Sequence, residues 1–480
     1  MSEKQLVQIG KSSEVQAGAQ RKKLYIRTYG CQMNEYDSEK LKKILESGYE
    51  SVDDAMQADL VLLNTCSVRE KPEHKLFSVL GEIKDLKRMK PELLVGVGGC
   101  VAQQEGAQIV KRSSTVDFVF GTHNLSLVPS LISRRLASGE PQIAVDYRDE
   151  WEDLPLGMTG GERVSVFVSI SRGCNKNCSY CIVPTTRGPE VSRSADEILK
   201  EVRIAAHRGA REVVLLGQTV NSYGLDFNPR MSFVQLLRKV AEVDGIERIR
   251  FTSPHPQEIR EDFIDLVCSE PKICRHVHMP LQSGSDRILK AMNRNYRQKR
   301  YLQIIEDMRA RVPDMAITTD IIVGFPGETR EDFEATLAVM DAVQFDNSYS
   351  FIFSKRPGTP AEALDDAQPY EEKLALLQEL QSRQFEITTK RLQAWVGKSC
   401  EVLLDGPSTV DSSALQGRNS QNITVNILGE QSQLEPGAIV KVRVIAASRF
   451  TLKAEVKCVL KPASPKTAAF ASADLAQAVA

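Results

Sequence analysis

The sequence predicts an α/β protein in three folded parts: an N-terminal doubly wound parallel sheet, a central partial (βα)6 barrel, and a small antiparallel β-barrel at the C-terminal end. Three observations predict it. A strand-then-helix alternation starts near Lys23, a second alternation with six strands starts near Arg163, and after about residue 393 apolar and polar residues alternate between turn-forming neighbours. At 480 residues the chain is too long for a single core.

In the first part, 23–139, "KLYIRTYG" reads as a strand and "SEKLKKILESG" as a helix, followed by the strand "ADLVLLNT" and the helix "EKPEHKLFSVLGEIKDLKRMK". Next come "LLVGVGG", a helix from Ala102, the strand "VDFVFG" and the helix "NLSLVPSLISRRLASG". These strands are apolar on both faces, as a sheet covered by helices on both sides requires. Residues 140–162, with "DYRDEWEDLPLGMTGGE", have a linker's composition.

The second part, 163–392, contains the strands "RVSVFVSIS", "EVVLLG", "RIRFTS", "HVHMPL", "AITTDIIVG" and "NSYSFIFS" with helices between them. Six βα units fall short of the eight that close a full barrel, so the expectation is an open barrel whose gap admits a large substrate. The third part, 393–459, carries "SCEVLLDG", "ALQGRNSQNITVNIL" and "AIVKVRVIAASRFTLKAEVK". The head, 1–22, and the Ala-rich tail, 460–480, hold too little apolar surface to fold and are expected to be disordered.

Lys and Arg total 62 against 63 for Asp and Glu, which argues against bulk polyelectrolyte binding and leaves any nucleic-acid surface local. The first residues lack the apolar run of a secretory signal, and no stretch has the apolar length of a membrane span, so a cytoplasmic protein is expected. Ten cysteines are too sparse for a disulfide framework and would be thiols in a reducing compartment.

Their positions say more than their number. "SISRGCNKNCSYCIVPTTRG" gathers Cys174, Cys178 and Cys181 just past the first strand of the second series, at the mouth of the partial barrel. Thiolates select iron-sulfur clusters, zinc or copper(I). A structural zinc site closes with four protein ligands and none lies near, the next His being His207. A redox dithiol of Cys178 and Cys181 leaves Cys174 without a role. A four-iron cubane on three cysteines leaves one iron open for a small molecule, and this reading accounts for the count. Cys31, Cys66 and Cys100 each follow the carboxyl end of a strand in the first series, where loops of open α/β sheets converge, so these thiols could meet in space. The competing reading is three small buried hydrophobes.

The CxxxCxxC arrangement of Cys174, Cys178 and Cys181 resembles that of the radical S-adenosylmethionine superfamily. "TYGCQMNEYDSEKL", "NTCSVREK", "VGGCVAQQEG", "GCNKNCSYCIVPTTRGPEVSR", "PLQSGSDRILKAMNR" and "DIIVGFPGET" together resemble the methylthiotransferases over about 23–459, most closely the branch that makes 2-methylthio-N6-isopentenyladenosine in tRNA. The resemblance implies two 4Fe-4S clusters, one on the catalytic Cys174, Cys178 and Cys181 and one on Cys31, Cys66 and Cys100. It implies S-adenosylmethionine as methyl donor and radical source, with a methylthio group transferred to C2 of N6-isopentenyladenosine next to the anticodon. A radical can take hydrogen from a C–H bond that no side-chain base could deprotonate.

Barrel-mouth residues are the candidates for S-adenosylmethionine: Gly217, Gln218 and Asn221 after the second strand, Gln282 and Ser283 after the fourth, and Gly324 after the fifth. "GFPGET" lacks the Lys-Ser/Thr ending of a phosphate loop. The C-terminal barrel resembles the TRAM domain, an OB-like RNA-binding fold, with Arg418 and Asn419 as candidate contacts. "RILKAMNRNYRQKRY" concentrates Arg287, Lys290, Arg294, Arg297, Lys299 and Arg300, a run that is either a solvated face or, with Arg297, a phosphate contact. His255 is a candidate ligand contact or a structural histidine, and Cys268, Cys274, Cys400 and Cys458 are expected to be packing residues. The implied partners are the tRNA anticodon loop, an electron donor and a sulfur source, for a monomeric enzyme. Two sister activities share the motifs: methylthiolation of a ribosomal-protein aspartate and of threonylcarbamoyl adenosine. A noncatalytic iron-sulfur RNA-binding protein is the alternative of another class.

Overall fold

The computed structural model describes residues 21–67, 72–148, 151–152, 154–155, 163–408, 414–429 and 434–463. The expected head and tail therefore lie, apart from 21–22 and 460–463, outside the described residues, as does much of the expected linker.

The first part comprises β1 (Lys22–Thr28), α1 (Gln32–Leu45), β2 (Tyr49–Ser51), β3 (Leu60–Thr65), α2 (Pro72–Met89), β4 (Leu94–Gly99), α3 (Cys100–Glu105), α4 (Ala107–Arg112), β5 (Phe118–Phe120), α5 (Val128–Ser138) and β6 (Gln142–Ala144). Its six strands are parallel, in the order β2-β1-β3-β4-β5-β6. Alternate residues of β3 serve opposite faces: Leu60 and Leu62 join Leu41 and Leu131 in one core, while Val61 and Leu63 join Val79 and Ile83 in the other. β2 and β6 have three residues each, too few to show a period in the sequence. β6 falls inside the expected linker, because the backbone of Gln142 to Ala144 pairs with β5 and extends the sheet. The strand order reverses between β1 and β3, which places a crevice beyond their carboxyl ends.

The second part runs through β7 (Ser165–Ser169), β8 (Ser171–Arg172), α6 (Val183–Arg187), β9 (Val191–Ser192), α7 (Ala195–His207), β10 (Glu212–Leu216), α8 (Phe233–Ala241), β11 (Arg248–Phe251) and α9 (Glu261–Ser269). It continues with β12 (His276–His278), α10 (Asp286–Ala291), α11 (Gln298–Arg311), β13 (Ala316–Val323), α12 (Arg330–Val343), β14 (Asn347–Ile352) and α13 (Tyr370–Gln393). Two parallel three-stranded sheets, β7-β10-β11 and β12-β13-β14, meet through one bridge between Ile249 and Ile273. Among the described residues no pairing joins β14 to β7, so the six-stranded barrel is open on that side. Capping boxes fix the starts of α8, with Ser232 and Gln235, and of α12, with Thr329 and Asp332.

The third part holds β15 (Ser399–Pro407), β16 (Leu415–Asn419), β17 (Thr424–Leu428), β18 (Ile439–Ala447) and β19 (Thr451–Lys461), closed in the order β15-β16-β17-β19-β18. Four of its five neighbouring pairs are antiparallel, as in the expected small antiparallel barrel, and β17 and β19 run parallel. Five strands cannot alternate in direction around a closed ring, so one neighbouring pair must agree. No helix among the described residues is long and apolar enough to cross a membrane.

Two seams fix the parts together. On the first, Met33 and Tyr36 of α1 pack on Phe167, Val214 and Leu216. Beside them Glu201 accepts from both Lys40 and Arg193, and all three side chains are buried. Burial opposes the Glu201 charge, but the two cations overcome it and hold the carboxyl below its usual range. On the second seam, Arg248 donates to the carbonyls of Arg418 (2.5 Å) and Glu401 (3.1 Å), and Arg250 to those of Asn419 (2.7 Å) and Ser420 (3.1 Å).

Replacing Glu201 with Ala removes the buried carboxylate that Lys40 and Arg193 share, which is expected to destabilise the first seam by about 3–5 kcal/mol. Trp151 lies against Arg193, 5.9 Å from ring centroid to guanidinium carbon, so tryptophan fluorescence reports on this seam. In urea the first unfolding transition of Glu201→Ala should move to markedly lower denaturant; an unchanged midpoint would show that the network carries no stability.

Candidate functional site

The central thiol loop starts at the carboxyl end of the β7–β8 segment. Cys178 is buried and Cys174 and Cys181 are half-buried. Arg294 Nη1 donates to Cys178 Sγ at 3.2 Å, the Lys176 N–H points at Cys174 Sγ at 3.4 Å, and Thr219 Oγ1 lies 3.6 Å from the same sulfur. Cys178 and Cys174 both act electrostatically on Cys181, so the three sulfurs share one neighbourhood. Burial raises the Cys174 thiol and pushes that of Cys181 up to about 12. Metal loading there must displace protons.

The second triad forms at the switch point of the first sheet. Cys31 caps α1 directly after Gly30, whose φ is +124°; a Cβ at Gly30 would fall 2.4 Å from Cys66 Cβ, so only glycine lets these two chain segments adjoin. Hydrogen bonding with Cys66 and the charge of Arg187 outweigh burial and bring the Cys31 thiol down to about 5. Cys100 opens α3 after Gly99, where φ is +88° and a Cβ would lie 2.2 Å from the Thr65 carbonyl oxygen. Burial opposes the charge of Arg187, and Cys100, Asp37 and Cys31 more than offset it. Arg187 Nη2 donates to Asp37 Oδ2 at 3.0 Å. The five-residue helix after Cys181 thus ends in a cation that faces the other triad.

Each triad offers three thiols, the donor chemistry of an iron-sulfur cluster. Among the described residues no three His, Cys, Asp or Glu side chains are drawn close enough to share a single metal ion. Buried polar atoms without a partner in the protein sit beside both triads: Ser67 Oγ next to Cys66, and Ser171 Oγ and Gln218 Oε1 near the central loop. The residues fit two clusters.

A cavity of about 1020 Å3 occupies the open barrel. It reaches from Gly30 and Cys31 along the inner faces of β7, β10, β11 and β12, past His276 and His278, to Arg418 of the C-terminal barrel. Its lining includes none of Cys174, Cys178 and Cys181; Thr252, which accepts from the Gly217 N–H at 3.1 Å, marks its approach to the central loop.

Residues 168–340 match the Radical SAM superfamily, 23–121 the Uncharacterized protein family UPF0004, and 393–457 the TRAM domain. The chain is 46% identical over 460 residues to the tRNA-2-methylthio-N(6)-dimethylallyladenosine synthase of Nitrosospira multiformis, covering 94% of this chain and 96% of that protein. It is 48% identical over 442 residues to the synthase of the same name from an Acidovorax species, covering 91% and 97%. The chain belongs to the tRNA-2-methylthio-N(6)-dimethylallyladenosine synthase family. In fold it resembles the radical S-adenosylmethionine methyltransferase TsrM of Kitasatospora setae, solved with cobalamin and a [4Fe-4S] cluster, at a TM-score of 0.51 and 15% identity over 72% of this chain and 74% of that one.

In this synthase-family chain the residues expected at S-adenosylmethionine fall into two groups. Gly217 and Gln218 border the central loop: a Cβ at Gly217 would meet Ser171 Oγ at 2.6 Å, and Gln218 keeps an unpartnered buried oxygen. The others are bound within the protein. Asn221 donates to the His255 carbonyl at 3.0 Å and accepts from its N–H at 2.8 Å, Ser283 packs in a turn against Thr336, and the Gly324 N–H donates to Glu328 at 2.5 Å. Gln282 adopts φ +68° and bridges to Ile321.

Asn419 is fully buried at the second seam, its Oδ1 accepting from the Ile423 N–H at 2.8 Å, whereas Arg418 is exposed and lines the cavity. Arg297 donates to the carbonyls of Arg294 and Tyr296, and Arg287 and Arg300 are likewise tied within the barrel. Burial, with Arg294 and Lys176 nearby, holds His255 neutral. Arg187 and Arg294 are site residues that the sequence did not single out as thiol partners. Both stand inside conspicuous motifs, "TTRG" and "AMNR", but no spacing rule says which atoms they face.

Replacing Arg294 with Met removes a cation in contact with Cys178. Added negative charge on a cluster there is then less compensated. The reduction potential of the reconstituted central cluster, read by electron paramagnetic resonance during a redox titration, should become more negative by tens of millivolts. An unchanged potential would show that Arg294 does not act on the cluster.

Proposed function

We infer that the protein transfers a methylthio group to C2 of N6-isopentenyladenosine beside the anticodon of tRNA, giving 2-methylthio-N6-isopentenyladenosine. Its cofactors are 4Fe-4S clusters and S-adenosylmethionine. The observation that carries this reading is the buried Arg187, which ends the short helix after Cys181 and faces Cys31 and Cys100 of the other thiol triad. When bound, the clusters and S-adenosylmethionine supply the one-electron and sulfur chemistry that an unactivated adenine C2–H bond requires.

The protein's own residues do the holding and positioning. Cys174, Cys178 and Cys181 would hold one cluster and leave an iron open, and Cys31, Cys66 and Cys100 would hold the other. Gln218 and Ser171 carry buried polar atoms suited to the polar edges of S-adenosylmethionine, with Gly217, Asn221, Gln282, Ser283 and Gly324 shaping the loops around them. The cavity that contains Cys31 lets a flipped base approach that triad, as an enzyme acting on a base atom needs. Arg418 at the far end of this cavity is a candidate phosphate contact. We further propose that the enzyme acts as a cytoplasmic monomer supplied by a separate electron donor and sulfur source.

Alanine at any one of the six cysteines should abolish methylthio transfer, and a Cys66→Ala enzyme with full product yield would contradict the assignment of its triad. Mass spectrometry of tRNA nucleosides from a deletion strain should show loss of 2-methylthio-N6-isopentenyladenosine and gain of N6-isopentenyladenosine. Loss of methylthiolated threonylcarbamoyl adenosine instead would assign that nucleoside as the substrate, and an unaltered nucleoside profile would direct the search to a ribosomal protein. Release of deoxyadenosine from S-adenosylmethionine by the reduced protein is the outcome that a noncatalytic binder would not give.

A further inference from the structure

The open side of the barrel exposes aromatic rings. Tyr349 and Phe351 on the edge strand β14 are 55% and 39% exposed, Phe385 on α13 is 41% exposed, and Phe450, in the turn between β18 and β19, is 56% exposed. The Arg449 guanidinium lies over two of these rings, 5.1 Å from the Phe385 centroid and 5.2 Å from that of Phe450. Large apolar groups left in water at the junction of two domains mark a surface that something covers.

Three features identify what covers it. The groove between these rings has a volume of about 370 Å3, and Asn347, Tyr349, Thr388 and Phe450 line both it and the larger cavity that reaches Cys31. Arg449 is the one charge among the described residues lining the groove, the rest being aromatic rings, amides and hydroxyls. Gln384, 5% exposed, lines it as well and keeps Oε1 without a partner while its Nε2 donates to the Phe345 carbonyl. Rings for a base face, a cation for a phosphate and a buried acceptor for an amino group are the elements that single-stranded RNA requires.

We propose that Tyr349, Phe351, Phe385 and Phe450, with Arg449, form a stacking ledge that holds an unpaired nucleotide adjoining the target base of the substrate RNA. This rests on the function inferred above. The ledge lies at the entrance to the cavity, so a neighbour stacked on it would leave the target base extended toward Cys31.

The test uses the reconstituted holoenzyme and an anticodon stem-loop RNA containing N6-isopentenyladenosine. Phe450→Leu and Tyr349→Leu lie at exposed positions and should each weaken binding of the stem-loop by roughly tenfold, the effect of losing one stacked base. The loss should vanish when one particular loop nucleotide is made abasic, because the ring and that base act as a pair. Affinities within about twofold of wild type would overturn the ledge, as would losses that add to those of every abasic RNA. Unchanged RNA binding with an altered oligomeric state would assign the rings to a second copy of the chain. A wild-type enzyme that neither binds nor modifies the stem-loop would instead overturn the function itself, and the ledge with it.

Discussion

A buried cation at the seam between two parallel sheets sets the geometry of this protein. Arg187 belongs to the helix that follows Cys181, yet it lies among Asp37, Cys31 and Cys100 of the N-terminal sheet. An unpaired guanidinium in such a place would be strongly destabilising, so its pairing with Asp37 ties the helix after Cys181 to the N-terminal sheet. Backbone contacts agree with the charge. The Thr122 hydroxyl donates to the Thr186 carbonyl at 2.8 Å, and the His123 ring nitrogen Nε2 lies 2.8 Å from the Arg187 carbonyl oxygen. The Lys40, Glu201 and Arg193 network repeats the same logic further along the seam.

The two triads occupy unlike electrostatic surroundings. Around Cys31 a neighbouring thiol and a cation favour thiolate, whereas around Cys174 and Cys181 burial favours the protonated thiol. Arg294, in contact with the buried Cys178, is the close cation of the central loop and would compensate negative charge on a centre held there. The first triad borders the cavity through Cys31, beside the face by which substrate would enter. Strand-end loops of two unrelated sheets thereby converge on one region, joined by the C-terminal barrel, whose backbone carbonyls are gripped by Arg248 and Arg250.

Much of this was legible in the sequence because it follows from chain-local rules. All six strands of the second series appear where alternation and length place them, and Cys31, Cys66 and Cys100 do follow β1, β3 and β4. Three-residue strands such as β2 and β6 carry no period. Long-range pairings were not legible. Nothing in "TTRG" says that its arginine reaches another domain, nothing in the run around Arg294 separates a sulfur contact from a phosphate contact, and nothing in "GRNSQN" shows that Asn419 is buried while Arg418 is open. Spacing reports which residues share an element, and only packing reports which elements share a seam.

The central claim is that two separate triads each hold a four-iron cluster at this seam. Mössbauer spectroscopy with iron quantification, on anaerobically reconstituted wild type and on two triple-alanine variants, one for each triad, tests it most directly. The account predicts two 4Fe-4S centres in the wild type and half the iron in either variant, with the surviving cluster spectroscopically intact. Zinc in place of iron, or full iron retention after removal of either triad, would contradict it.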